Sequence, residues 1–370
     1  MKKFIIYLFV FFIIVSCGKK NTTNYVEIEK VWVPKKLSLR DPLNNAGIYK
    51  DMLYFWIDEG EKAYLNFFKL NGELEKKVTF KRGRGPGEIF SYNRTIIKDD
   101  TINIFDNMRR ILQVFSMEGE YIDDYKIDVS DFGIIDRSQE FIFFSGVLKE
   151  KLIKIGTKKN EIIKSIKYDN EYKSFREMAG KQLRMGPIVI DQKDKKIYRG
   201  SYVRPYKIEK YDYDLNKLDT FERKVEGNFK DFVIEPGQGP GGSIMVGNMQ
   251  VDDKYLYVSF GGGQQTKRED NKVSITGIPS DYFVSVFDKK TGEFISEIKI
   301  KKINQLKGVT NLLKVTKDKI YILLVDFENT LDNILTDEMK ENQKSDTENQ
   351  FLKNEIQRAV LILDNPVYSD

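Results

Sequence analysis

Lys81-Arg82-Gly83-Arg84-Gly85-Pro86-Gly87-Glu88, followed by the strand-like run Thr101-Ile102-Asn103-Ile104-Phe105-Asp106, is the stretch on which the reading of the fold turns. Glycine at alternate positions permits a sharp passage of the backbone, and Pro86, lacking an amide hydrogen, cannot join a ladder. The stretch therefore reads as a joint between two β units. A cousin, Gly237-Gln238-Gly239-Pro240-Gly241, leads into Val251-Asp252-Asp253-Lys254-Tyr255-Leu256-Tyr257-Val258. Two such joints predict a repeated unit.

Outward from that joint a pattern recurs: a polar turn, an alternating apolar strand, a loop, a second strand, a tight turn and a third strand. The polar turns end at Asp51, Asp100, Ser138, Asp194, Asp253 and Asp318, so the spacings are 49, 38, 56, 59 and 65 residues. Four-stranded propeller blades take about 40 to 50 residues each, before insertions. Six copies predict an all-β, six-bladed β-propeller. The tight turns Asn71-Gly72, Glu118-Gly119 and Thr291-Gly292 suit hairpins that need a positive φ, with Lys158-Lys159-Asn160 and Asp214-Leu215-Asn216 as glycine-free versions.

The sixth unit ends differently. Only six residues follow Asp364, too few for an outer strand, whereas the segment from Val26 to Leu39 precedes the first unit without a sheet of its own. This N-terminal segment is expected to complete the last blade and close the ring, which removes an exposed edge. The second-to-third and inter-blade loops of a propeller share one face. They hold every long segment here: 82–92, 169–184, 227–248, 261–281 and 328–357. Insertions confined to one face mark it as the expected binding face. The segment 328–357 is polar, with helical spacing at Leu331, Ile334, Leu335 and Met339, and is expected as a partly helical insertion in the last blade.

The N-terminus reads separately. Lys2-Lys3 precede an apolar run from Phe4 to Val15 that is 12 residues long, whereas a membrane-spanning helix needs about 20. Residues 1–16 are therefore read as a signal peptide. Ile14-Val15-Ser16-Cys17 resembles the lipobox of bacterial lipoproteins, which implies cleavage before Cys17 and acylation (palmitate or a similar chain) of that residue as the link to the lipid bilayer. Two or more acyl chains give a stable anchor. Gly18 to Asn24 is polar and without apolar periodicity, so residues 17–25 are expected as lipidated cysteine plus flexible tether, and 26–370 as one propeller domain.

Composition excludes whole classes of function. Histidine is absent and Cys17 is the only cysteine, which removes Ser-His-Asp and Cys-His mechanisms, ordinary zinc ligation and any disulfide framework. Lys+Arg number 61 and Asp+Glu 56, interspersed, for a net charge of +5. Loss of Lys2 and Lys3 with the signal leaves +3, so no basic stripe of the kind that nucleic acid requires is present.

The Gly-x-Gly-Pro-Gly-Glu joint, followed by Asp106-Asn107-Met108-Arg109-Arg110-Ile111-Leu112-Gln113-Val114-Phe115, resembles the NHL-type repeat. More closely, residues 26–364 resemble the six-bladed β-propeller lipoproteins of the Bacteroidetes. In lipoproteins of that group an acidic run after the cysteine favours export to the cell surface. Its absence here implies an outer-membrane anchor that faces the periplasm.

The binding residues expected on the loop-rich face are Arg82, Arg84, Glu88, Tyr92, Arg94, Asp106, Arg109, Arg204, Tyr206, Gln238 and Gln264. The loop Gly83–Gly87 with its arginines has the elements of an anion cradle, but it lacks Gly-Lys-Ser/Thr and no helix follows, so the inter-blade joint is the stronger reading. Asp58, Asp106 and Asp326 each end the second strand of a unit. Three carboxylates converging at the channel mouth would bind Ca²⁺; alternatively, Asp106 accepts hydrogen bonds from loop amides or pairs with Arg109. Trp56, Tyr92, Tyr202, Tyr206 and Tyr282 offer aromatic surface for a sugar or peptide, against the plainer reading as core or inter-blade packing. The sequence thus predicts a membrane-anchored, non-catalytic binding or scaffold propeller for a protein, peptide or glycan. The alternative is a Ca²⁺-dependent hydrolase or lyase.

Overall fold

The computed structural model describes residues 22–26, 28–32, 46–59, 61–70, 73–92, 94–106, 108–127, 133–158, 161–170, 172–173, 177–178, 184–225, 229–235, 239–261, 263–269, 272–277, 282–300, 308–326 and 357–368. The chain opens with β1 (Thr22–Val26) and β2 (Ile28–Trp32). Blade one follows as β3 (Gly47–Tyr49), β4 (Met52–Glu59), β5 (Lys62–Lys69) and β6 (Leu74–Lys81), and blade two as β7 (Arg94–Lys98), β8 (Thr101–Asp106), β9 (Ile111–Ser116) and β10 (Tyr121–Lys126). Blade three is β11 (Gly133–Arg137), β12 (Phe141–Gly146), β13 (Glu150–Gly156) and β14 (Glu161–Lys167); blade four is β15 (Ile188–Asp191), β16 (Lys196–Gly200), β17 (Lys207–Asp212) and β18 (Lys217–Glu222).

Between blades four and five come β19 (Val233–Glu235) and β20 (Gly239–Ser243). Blade five is β21 (Met249–Val251), β22 (Tyr255–Gly261), β25 (Tyr282–Asp288) and β26 (Phe294–Ile300), interrupted by β23 (Gly263–Glu269) and β24 (Lys272–Gly277). Blade six is β27 (Gly308–Val315), β28 (Lys319–Asp326), β29 (Gln357–Asp364) and, as its outer strand, β2. The first strands touch in succession, β7 on β11, β11 on β15, β15 on β21, β21 on β27 and β27 on β3, and so surround the axis.

The strand sequences explain this order. Second and third strands are sandwiched between neighbouring blades and read as nearly continuous apolar runs, such as FIFFSG in β12 and YLYVSFG in β22, buried along most of their length. Outer strands face solvent and are charged, as YIDDYK in β10. Packing between blades then supplies the core, one apolar cluster per interface. Trp56, Phe80, Tyr92 and Phe115 lie between blades one and two. Leu53, Phe55, Tyr321 and Val360 join blade six to blade one. That last cluster closes the ring.

The expected closing strand is present. β2 pairs antiparallel with β29, with a register break between Ile28 and Lys30. The other five outer strands break register in the same place, within their first residues, at Leu74/Lys76, Tyr121/Asp123, Ile162/Lys164, Lys217/Asp219 and Phe294/Ser296. A bulge there adds the local twist a blade needs at its rim. The same bulge in β2 marks it as a full structural equivalent of the other outer strands.

Three features differ from the sequence expectation. Thr22–Val26, which takes in the end of the expected tether at residues 22–25, is a strand that pairs parallel with β26 as a fifth strand of blade five. Gly239–Gly241 is not a second inter-blade turn but part of β20. β20 joins β19, β23 and β24 in an additional four-stranded sheet, in the order β19-β20-β23-β24. The insertions 227–248 and 261–281 are thus one element, paired through Gly242–Gln264 and Ser243–Gly263. The expected helical segment 328–357 falls outside the described residues except Gln357, which opens β29.

Candidate functional site at the insertion face

The sequence-predicted residues mostly build this face rather than line a site. Glu88 accepts from the Gly85 amide at 2.9 Å and from Lys81 Nζ at 2.6 Å. A Cβ on Gly83 would lie 2.0 Å from Glu88 Oε2. The glycine loop is thus filled by its own carboxylate, as a joint requires. Arg82 lies over the Tyr92 ring, Arg84 over Phe90, and Arg109 donates to the Glu88 carbonyl at 2.9 Å.

Asp106 is fully buried and engaged. Its carboxylate accepts from the Ser91 amide and hydroxyl at 3.1 and 2.8 Å, and from the Met108 and Arg109 amides at 3.1 Å each. It pins the loop as the amide-binding reading has it. The side chains of Asp58, Asp326 and Gln264, and all of Gln238 and Cys17, lie outside what is described. Among the described residues no cluster of three or more metal-ligating side chains occurs.

Tyr92 and Tyr206 are core. Tyr92 is stacked on Trp56 with ring centroids 4.5 Å apart, and Tyr206 packs on Phe260 and Phe287. Tyr282 is buried too, while Tyr202 is half-buried against Phe232. Arg204 is half-exposed, with Nε 3.2 Å from Asp231 Oδ1 and a hydrogen bond to the Phe229 carbonyl. Arg94, at the insertion-face end of β7, is felt electrostatically by Tyr54 and Tyr202. Burial dominates at both hydroxyls and pushes them up to about 12.

The loops of this face share a small apolar cluster of their own. Val147 and Leu148 from the β12–β13 loop, Met178 from the segment after blade three, Val203 from the β16–β17 loop and Phe232 from the insertion are all buried together. Beside this cluster, between blades three and four, is a cavity of about 190 Å³, lined by Lys151, Tyr168, Arg184, Arg199, Gly200, Ser201, Val203, Lys207 and Glu209. Each of these residues stands at the insertion-face end of its strand, or in the loop beyond it.

Four cations and one carboxylate line the cavity. Arg199 and Glu209 are directly opposed across β16 and β17, both buried, with Nη1 3.8 Å from Oε2. Arg199 is otherwise spent on structure. Its Nε donates to Ser145 Oγ and the Lys151 carbonyl, both at 3.1 Å, and its Nη2 to Tyr168 Oη at 2.5 Å and the Arg184 carbonyl at 3.1 Å. Glu209 accepts from Lys151 Nζ at 2.7 Å and from the Tyr211 hydroxyl at 3.0 Å. Burial alone pushes the Glu209 carboxyl up, but the Lys151 hydrogen bond and the charges of Lys151 and Arg199 outweigh it, and the net direction is down. At Lys151 burial is the stronger influence and lowers the ammonium.

None of the residues lining this cavity was singled out from sequence. The signal was faint: Arg199 in KIYRG and Glu209-Lys210 in KIEKYD are charged at buried positions of middle strands.

Comparison with known proteins adds to the fold. No protein-family model and no curated protein matches the sequence. Among solved structures, a Bacteroides fragilis protein described as a candidate exported protein superposes with a TM-score of 0.53 at 10% identity, covering 92% of this chain and 99% of that one. A member of the DUF4221 family from Bacteroides vulgatus gives a TM-score of 0.48 at 14% identity, covering 92% and 99%. The likeness is one of fold. It extends over nearly the whole of the Bacteroides fragilis chain.

Proposed function

We propose that the protein is a non-catalytic binding propeller of the cell envelope, tethered through an acylated Cys17 and presenting its insertion face to a protein, peptide or glycan. The observation that carries this reading is the pairing of two separate insertions into one extra sheet, β19-β20-β23-β24, on the face that also gathers the other long loops. Surface loops tolerate length changes independently. Two that fold on each other make a shaped platform. The description of the Bacteroides fragilis neighbour as a candidate exported protein supports a location outside the cytoplasm.

The test is recovery of a specific partner from solubilised membranes by the tagged protein, compared with a variant in which residues 262–281 are replaced by a two-residue turn. Loss of the partner in the variant supports the reading, and unchanged recovery overturns it. The tether has its own check: Cys17→Ser should move the protein from the membrane to the soluble fraction.

A further inference from the structure

We infer that the bilayer lies against the short-turn side of the ring, beside blades four and five, and that the insertion face looks away from the membrane. The inference rests on the reading of Cys17 as the acylated anchor, and adds where that anchor leaves the propeller.

Strand direction fixes the point of exit. β26 begins just after the hairpin Lys290-Thr291-Gly292-Glu293, on the face of the first-to-second and third-to-outer turns, and runs towards the insertion face, where the chain crosses to blade six. β1 pairs parallel with it, from Thr22 opposite Ser296 to Val26 opposite Ile300. The chain before Thr22 is therefore aimed back at that hairpin, on the short-turn side. At its far end β1 is fixed to the body of the ring, where Val26 is buried between blades five and six with Ile300, Leu361 and Leu363. The hairpin itself abuts blade four: a Cβ on Gly292 would lie 2.5 Å from the Phe221 ring of β18.

Chain length keeps the anchor there. Only residues 18–21 separate Cys17 from Thr22, and five residue steps reach at most about 18 Å. Continued along the direction of β1, that length carries Cys17 past the hairpin. A reversal towards the other face would spend about two residues on a tight turn and leave about 10 Å of reach, less than the rise of about 13 Å along β1 itself. Cys17 would not regain the level of Val26, and the insertion loops stand farther out still.

Exposed apolar surface points the same way. Among the described residues nine large hydrophobic side chains are exposed, and six of them, Leu74, Tyr121, Ile122, Ile162, Ile163 and Leu218, stand within the first three residues of outer strands, next to the short turns of blades one to four. Single exposed apolar side chains are ordinary. Six gathered at the same end of their strands give the rim of the short-turn side apolar groups that the interfacial zone of a bilayer accepts.

The experiment reconstitutes the full-length lipoprotein into vesicles of phosphatidylethanolamine and phosphatidylglycerol that contain lipids with a nitroxide on the headgroup. Cys17 is the only cysteine, and acylation consumes its thiol. Leu218→Cys, on the short-turn rim of blade four, and Met108→Cys, exposed in the β8–β9 loop of the insertion face, therefore each carry one fluorescent label. The label at position 218 should be quenched several-fold more than the label at position 108. Asp253→Cys, exposed in the short turn of blade five, repeats the measurement at a second site and decides it should Leu218→Cys lower the melting temperature. Equal quenching on the two faces, or stronger quenching at position 108, overturns the inference.

A flexible Gly/Ser spacer of about 20 residues between Asn21 and Thr22, with an end-to-end distance of about 25 Å, should remove most of the contrast, and a contrast unchanged by the spacer overturns the role of the short tether. Fractionation separates the two readings. Membrane binding that survives Cys17→Ser removes the anchor and the orientation with it, whereas binding that depends on Cys17, with equal quenching on the two faces, removes only the orientation.

Discussion

The two faces of the ring use charge in opposite ways. On the short-turn face, charges are paired between neighbouring blades. Lys289, 1% exposed, is held 2.7 Å from Asp191 and 2.9 Å from Asp194, and its carbonyl accepts from Lys210 Nζ at 2.7 Å and the Tyr198 hydroxyl at 3.2 Å. Blades four and five are thereby locked. Lys50–Asp100 and Lys193–Asp253 repeat the cross-blade contact in exposed form at 2.6 and 2.7 Å. On the insertion face, the cavity between blades three and four has more cations than anions among its lining residues, and the Nε and Nη2 of Arg184 have no hydrogen-bond partner among the described residues. The buried lock around Lys289 is on the one face, and the cavity with an excess of cations on the other.

The largest effect expected is on the ring itself. Deleting residues 22–32 removes β1 and β2 and exposes the edges of β26 and β29, so the variant should lose a single cooperative thermal transition and aggregate on gel filtration. A sharp melt and a monomer peak would show that the closing strands are dispensable. Next comes the buried lock. Lys289→Met leaves Asp191 buried without its counter-charge, and removing one partner of such a pair costs about 3–5 kcal/mol. Urea denaturation should show a loss of that order, and an unchanged midpoint would place the strength of the short-turn face elsewhere.

Acidity tests both faces at once. Glu209 is held below the usual carboxylate range, as above, and Asp288 likewise, because the Thr291 and Lys290 amides outweigh its burial. Asp194 is lowered chiefly by its hydrogen bond to Lys289. A carboxyl whose folded value is depressed contributes stability above its unfolded value and loses it as pH falls through the folded one. The melting temperature should therefore stay level down to about pH 4.5 and fall below it. A level profile to pH 3 would contradict these pairings. The smallest effect is expected at Asp100→Asn, which removes an exposed ion pair and should leave the urea midpoint unchanged, since such pairs contribute little.

How much of this was legible depends on the range of the interaction concerned. Hairpins are local. Lys50-Asp51 and Asp99-Asp100 take positive φ at both turn positions, and Gly119 and Gly292 do so in their tight turns, as the turn residues predict. Leu215 supplies the same φ without glycine, steadied by the Asp212 carboxylate, which accepts from the Asp214 and Asn216 amides at 2.9 and 2.8 Å. The closing strand was legible by a count, because blade six lacked an outer strand and β2 lacked a sheet.

β1 was not legible. Its sequence TTNYV has little apolar pattern, and parallel edge pairing is made by backbone groups that every residue carries. The merger of β20 with β23 hid for the same reason: Gly242 and Ser243 meet Gln264 and Gly263 through the main chain.

The sequence by itself determined the repeat, the number of blades, the strand order within each and the face from which the long loops leave, because these follow from turn chemistry and strand period over a few residues. Only the tertiary structure decided what the loops make together. Lys151, Arg184, Arg199 and Lys207 come from separate segments; Arg199 carries a faint signal as a charge within a middle strand, and the others look like ordinary surface charges in their own stretches of chain. Their meeting depends on two blades lying side by side and on Tyr168 and Tyr172 closing over Arg184. An unpaired guanidinium edge is a property of that packing, and no single stretch of sequence encodes it.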